Sequence, residues 1–285
     1  MGCRCAKNRH KAGVTVTFAD SGDARLRYDV TDIVPPWKDR EAILFHHGVG
    51  TSLEIWSDWL PALVDRYRVL RFDMRGCGQS TRPSASFRWS VDQFVDDLLR
   101  IADAAGVERF HFVGESFGGT LGIALAARSP ERMLSLTLAN AAYRGGIVKN
   151  LTGWQGLFEQ STKAWSDRMM EWRFAPGALD APRREWFERQ QQTSDPAATL
   201  AIADLLTRCD FSNTLATIRM PTLLLAPGAS PFIPLEVMRA MSASIEKSEL
   251  HVFDGVRHGL PFSHARECSG ILDAFLSRQN VSIRS

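Results

Sequence analysis

No stretch of this 285-residue chain reaches the roughly 18 uninterrupted apolar residues that a membrane helix needs, and its first ten residues lack the apolar centre of a secretory signal. A membrane protein is not expected, and the expected location is the cytoplasm. Charge of one sign is missing too: 34 Lys and Arg against 32 Asp and Glu leave a net charge of +2. Such a balance provides no electrostatic footprint for nucleic acid. The five cysteines (Cys3, Cys5, Cys77, Cys209 and Cys268) are odd in number and irregular in spacing, with no C-x-x-C pair and no adjoining histidine cluster. Reduced thiols are expected, not a disulfide framework, and Cys3 with Cys5 supplies too few ligands for a closed zinc site. Ala6 stands where the myristoylation pattern wants Ser or Thr, so Met1-Gly2-Cys3 reads as a plain terminus. Arg4, Lys7, Arg9 and Lys11 behind it read as a solvated tail.

What is present is an ordinary globular composition, 45% hydrophobic and 23% charged, long enough to bury a full core. Short apolar runs alternate with helical patterns, which argues for a mostly parallel sheet flanked by helices. Arg25 to Val30 alternates and reads as an early antiparallel edge strand. Runs at 41–45, 68–72, 109–113, 134–138, 222–225 and 249–253 supply the inner strands. Ser90 caps a helix to Ala105, with Val91, Phe94, Val95, Leu98, Leu99 and Ile101 facing inward. From about Tyr143 to Thr217 the alternation stops and only helical patterns remain. The division read from this is a tail and first strand at 1–24, a first core part at 25–142, a helical cap at 143–217 and a second core part at 218–285. The cap's aromatics, Trp154 among them, serve mainly as its own core, but such a layer also roofs the crevice at the carboxyl ends of parallel strands.

One pentapeptide concentrates the chemistry. Gly114-Glu115-Ser116-Phe117-Gly118 follows an apolar run and precedes the small-residue run Gly119 to Ala127. Strand, G-x-S-x-G, helix is the context of a nucleophile elbow, where glycines flank the serine because the two backbones pass too close for side chains. A serine hydroxyl is a poor nucleophile at neutral pH and needs a base and an oxyanion site. His258, in the loop between the last strand and a terminal helix at 267–276, is the candidate base. His46-His47-Gly48-Val49-Gly50-Thr51 ends the third strand, and the backbone N–H of Val49 with that of Phe117 is the candidate oxyanion hole. Gly48 and Trp154 are the candidate substrate contacts. His46 and His47 are read as structural and no metal site is expected, since adjacent strand-end side chains diverge. Asp73-Met-Arg-Gly-Cys-Gly-Gln-Ser80 reads as a braced glycine turn near the elbow.

These motifs, in this order, resemble the α/β-hydrolase superfamily over about residues 25 to 278. The implied fold is a mostly parallel sheet flanked by helices, with a helical cap inserted after the sixth strand. Leu138-Ala-Asn-Ala141 and the cap resemble enol-lactone hydrolases and small carboxylesterases, which implies a small-molecule substrate, an acyl-serine mechanism and no cofactor.

The usual third triad member is missing. In most of the superfamily an aspartate follows the seventh strand; alignment on Pro234 puts Ser230 in that slot. Asn140, after the sixth strand, is the candidate orienter of His258, with an amide in place of a charge. Asp254 and Glu115 are expected to point elsewhere, and Asp210 and Glu236 stay open. Three readings follow: a serine hydrolase of a small ester or lactone, a C–C bond hydrolase or lyase using His258 as base, and a ligand-binding, receptor-like protein with little turnover. Arg144, Arg168 and Arg173 of the cap are candidates for meeting a substrate carboxylate.

Overall fold

β-Branched and leucine-rich runs buried on both faces form the centre of a parallel sheet. In the computed structural model, which describes residues 16–38 and 40–282, the strands are β1 (Thr17–Ser21), β2 (Ala24–Thr31), β3 (Glu41–His46), β4 (Tyr67–Phe72), β5 (Phe110–Glu115), β6 (Met133–Ala139), β7 (Thr222–Pro227) and β8 (Ser248–Phe253). They make one eight-stranded sheet in the order β1-β2-β4-β3-β5-β6-β7-β8. Pairs β1/β2 and β2/β4 are antiparallel; the rest are parallel. The Arg25–Val30 run is antiparallel as expected but is not the edge, because β1 pairs outside it through Thr17 to Ser21. The basic tail, Cys3 and Cys5 lie outside the described residues.

The first two helices of the core are α1 (Val91–Ala104) and α2 (Phe117–Arg128). Ser90 caps α1 by accepting from the Gln93 N–H at 3.2 Å, and Phe94, Val95, Leu98 and Ile101 are buried beneath it. Every residue of α2 from Phe117 to Ala126 is buried. Small residues are required there: a Cβ on Gly122 would stand 2.5 Å from the Phe112 ring.

Between β6 and β7 the chain forms α3 (Trp154–Gln160), α4 (Thr162–Arg173), α5 (Ala181–Gln192) and α6 (Pro196–Arg208), with no strand. This layer holds itself together through its aromatics. Trp165 stacks on Phe158 at 4.8 Å and meets Trp154 edge-on at 5.6 Å, and Phe174 meets Phe187 at 4.9 Å. Behind it follow α7 (Leu235–Ser244), the single turn α8 (Leu260–Ser263) and α9 (Ala265–Ser282). The terminal helix is longer than the 267–276 expectation at both ends. Among the described residues no helix is long and apolar enough to cross a membrane.

Candidate active site

The turn from β5 to α2 forces Ser116 to φ 54°, ψ −117°. A positive φ at a non-glycine residue costs on the order of 1–3 kcal/mol and persists only where its surroundings impose it. Here the glycines impose it. A Cβ on Gly114 would fall 2.5 Å from the Gly118 backbone, and one on Gly118 would fall 2.5 Å from the His46 carbonyl oxygen. The Ser116 N–H is held by the Ala139 carbonyl at 2.9 Å, at the end of β6.

His258 arrives from the loop after β8. Its Nε2 lies 3.1 Å from Ser116 Oγ, and its Nδ1 lies 3.0 Å from Ser230 Oγ. The ring's remote nitrogen is therefore met by Ser230 and not by Asn140. Asn140, at φ 53°, instead donates from Nδ2 to the backbone carbonyl of His258. That corrects the role expected for Asn140: it fixes the loop that carries the imidazole and does not touch the ring. Among the described residues none of the four carboxylates considered is hydrogen-bonded to His258. Asp254, Asp210 and Glu236 are exposed, and Glu115 turns under the neighbouring loop. Burial, with the Arg173 guanidinium second, holds the His258 pKa down to about 3. The imidazole is neutral at physiological pH.

The loop after β3 is pinned from three sides. Its first brace is Glu115, whose Oε2 accepts the Gly48 N–H at 2.7 Å. Burial raises the Glu115 pKa, against the opposing pull of Arg173 and of this N–H. Gly48, expected at the substrate, thus spends its N–H on Glu115. A Cβ there would lie 2.6 Å from that carboxylate. The second brace is His47, whose Nε2 accepts the Met74 N–H at 3.0 Å, which places its proton on Nδ1, 2.8 Å from the Gly48 carbonyl. His46 is fully buried and its Nδ1 faces the His47 carbonyl at 2.8 Å. Among the described residues no three His, Cys, Asp or Glu side chains converge on a metal position. The third brace is the cap: Arg173 donates to the Val49 carbonyl at 2.6 Å. Gly50, at φ +70°, leaves only enough room for the Trp165 ring, whose edge stands 2.4 Å from where a Cβ would be.

Asp73 stabilises the adjoining turn, its two carboxylate oxygens accepting the Leu53 and Gln79 N–H groups at 2.8 Å each. Arg75 is bound to both carboxylate oxygens of Asp97 at 2.9 and 2.8 Å. Both side chains work on the scaffold, away from Ser116. Val49 lines the cavity over Ser116, and Phe117 is the first residue of α2, so its N–H has no carbonyl one turn back to bond with.

A family model described as the alpha/beta hydrolase fold matches residues 41–265. The chain belongs to that family. A 2-hydroxy-6-oxo-2,4-heptadienoate hydrolase of Pseudomonas putida is 29% identical to it over 255 residues, covering 84% of this chain and 90% of the relative. A 3-oxoadipate enol-lactonase of Acinetobacter baylyi is 27% identical over 240 residues, covering 80% and 88%. The crystal structure of the enol-lactonase from Burkholderia xenovorans superposes with a TM-score of 0.83 over 92% of this chain and 100% of that one; at 21% identity it speaks for the fold alone.

In this hydrolase the cavity over Ser116 takes its walls from core and cap alike: Val49, Trp154, Arg173, Phe232 and His258 all line it. It is a narrow cleft that opens to solvent, with Ser116 and His258 both exposed to it. Of the three cap arginines only Arg173 is at the site. Arg168 is half-exposed and pairs with Glu171 at 2.7 Å, while Arg144 bridges to Asp210. Sequence reasoning named Arg173 only beside Arg144 and Arg168, without its bond to Val49, and placed Ser230 in the acid slot without its contact with His258 Nδ1. The partners of Arg173 are 124 residues away at Val49 and 18 away at Gln191, so no local pattern marks it.

Proposed function

We propose that this hydrolase cleaves a small carboxylic ester or lactone through an acyl-Ser116 intermediate. The observation that carries the reading is the 3.1 Å contact between His258 Nε2 and Ser116 Oγ on the floor of a cavity walled by the cap. Ser116 Oγ attacks the substrate carbonyl and its proton passes to Nε2. The N–H groups of Val49 and Phe117 receive the oxyanion, and the leaving oxygen takes the proton back from Nε2 as the tetrahedral intermediate collapses. Water, deprotonated by the same nitrogen, then attacks the acyl-enzyme and frees the serine. Ser230 stands where a carboxylate usually orients the base.

The substrate is small and carries an anionic or strongly accepting group. Two buried donors of cavity-lining residues, Arg173 Nε and Trp154 Nε1, have no partner among the described residues. A carboxylate would satisfy both, and the names of the two relatives above are those of carboxylate substrates. The test is p-nitrophenyl acetate turnover and labelling of Ser116 by a fluorophosphonate, with Ser116→Ala as control. No label and no turnover would leave a ligand-binding protein.

A second reading, C–C bond hydrolysis, is favoured by the 29% identical heptadienoate hydrolase. It predicts turnover of a 2-hydroxy-6-oxo-dienoate in preference to simple esters.

A further inference from the structure

The hydroxyl oxygen of Ser230 has three hydrogen-bonding neighbours among the described residues. Nδ1 of His258 lies 3.0 Å away, the backbone N–H of Phe232 3.3 Å away and that of Ile233 3.2 Å away. A serine hydroxyl has one proton to donate and two lone pairs with which to accept. The two amides can only donate, so between them they occupy both lone pairs. The proton then has one place to go, the Nδ1 lone pair.

We infer that Ser230 donates to Nδ1 of His258 and so sets the ring's tautomer, with the imidazole proton on Nε2, where it is donated to Ser116 Oγ. Ser230 is thus a positioning residue that works against the base it orients. An Nε2 that carries a proton has no lone pair with which to take the one on Ser116. Reaching the base-competent form moves one proton from Nε2 to Nδ1 through solvent, with no net change of charge. It also obliges the Ser230 hydroxyl to turn away and leaves one backbone amide without its acceptor. The imidazolium formed during acyl transfer meets the same obstacle, because it carries a proton on both nitrogens.

The slot itself is built for an anion. Two amide donors and an imidazole N–H converge on one position, and a carboxylate there would accept from all three at once without rotating. Serine fills the position with a group that satisfies the amides at the expense of the tautomer. This inference rests on Ser116 and His258 being nucleophile and base, but the tautomer can be read without any turnover.

The experiment is a two-bond 1H–15N correlation spectrum of the full-length protein, labelled with [15N]histidine, at neutral pH. The His258 signals are assigned by their loss in His258→Asn. The expected result is a protonated Nε2 and a bare Nδ1 in the wild type, with the pattern reversed in Ser230→Asp. The same variant is expected to raise kcat on p-nitrophenyl acetate by at least ~10-fold while KM changes little, since a wrong tautomer in a serine triad costs up to about 10⁴ in kcat. A wild-type ring protonated on Nδ1 overturns the assignment, and this spectrum decides even if Ser230→Asp does not fold. A reversed tautomer with no gain in kcat overturns the claim that Ser230 limits turnover. An Nε2–H ring in the wild type, with no fluorophosphonate label on either the wild type or a folded Ser230→Asp, supports the tautomer and removes the hydrolase reading.

Discussion

Arg173, the last residue of α4, donates from Nη2 to the Val49 carbonyl at 2.6 Å and from Nη1 to Gln191 of α5 at 2.7 Å. Its own carbonyl accepts the N–H of Gly259, next to His258, at 2.8 Å. One cap residue therefore holds the candidate oxyanion loop with its side chain and the histidine loop with its backbone. Burial holds the Arg173 pKa down to about 10 against the opposing pull of Glu115.

Arg173→Met removes the side-chain tie and leaves Glu115 without its compensating cation. A charge-assisted hydrogen bond contributes about 1.5–3 kcal/mol, so kcat/KM is expected to fall roughly 10- to 100-fold. Tm falls as well, because the Val49 carbonyl and the Gln191 side chain lose a buried donor. Ester kinetics and calorimetry check both. Unchanged kcat/KM would take the arginine out of the site.

Asn140→Asp is expected to behave oppositely to Ser230→Asp. Asn140 Nδ2 donates to the His258 carbonyl oxygen, so an aspartate there would set two acceptors against each other. Esterase activity should drop by about tenfold or more, with a lower Tm, since an unmade buried hydrogen bond costs about 1–3 kcal/mol. A rise in kcat would instead make position 140 the orienter of the ring.

Acid should act on stability before it acts on the base. Burial holds the pKa values of His46, His47 and His258 down to about 3, 4 and 3 in the folded protein, with His47 adding to the effect on His46 and Arg173 to that on His258. In the unfolded chain each titrates near ~6.5. Between those limits the unfolded chain binds more protons, so the contribution is complete above about pH 6.5 and is lost as pH falls toward the folded values. Tm should be level from pH 8 to 7 and drop by more than ~5 °C by pH 4.5. Initial rates of kcat/KM should hold steady over pH 5.5–7.5, without the acid limb near 6.5 of an ordinary imidazole base. A limb at 6.5 would show that His258 is solvated and not buried.

Features made by neighbours in sequence were readable from the chain. The elbow is one: its glycines at 114 and 118 sit beside the serine whose backbone they permit. The braced turn after β4 is another, since Asp73 and the amide of Gln79 that it accepts are six residues apart. Ser230 was found in the acid slot by spacing from Pro234, yet its hydrogen bond to His258 depends on side-chain direction. Asn140 shows the same limit, reaching the correct loop but meeting its carbonyl. A first strand is expected within 1–24, but the five residues of β1, with their mixed burial, are too weakly patterned to show that it pairs outside β2 and takes the edge. For Arg173 nothing local distinguishes it from Arg168, one turn earlier on the same helix.

The close fit of Trp165 against Gly50 bears on how such a protein diversifies. A lid that merely covered a finished site could be exchanged between relatives to change substrate preference while turnover stayed intact. Here the inserted layer supplies a wall against which the loop after β3 is shaped. Grafting a foreign insertion into this chain would alter selectivity and rate together, so the two properties are inherited as a unit.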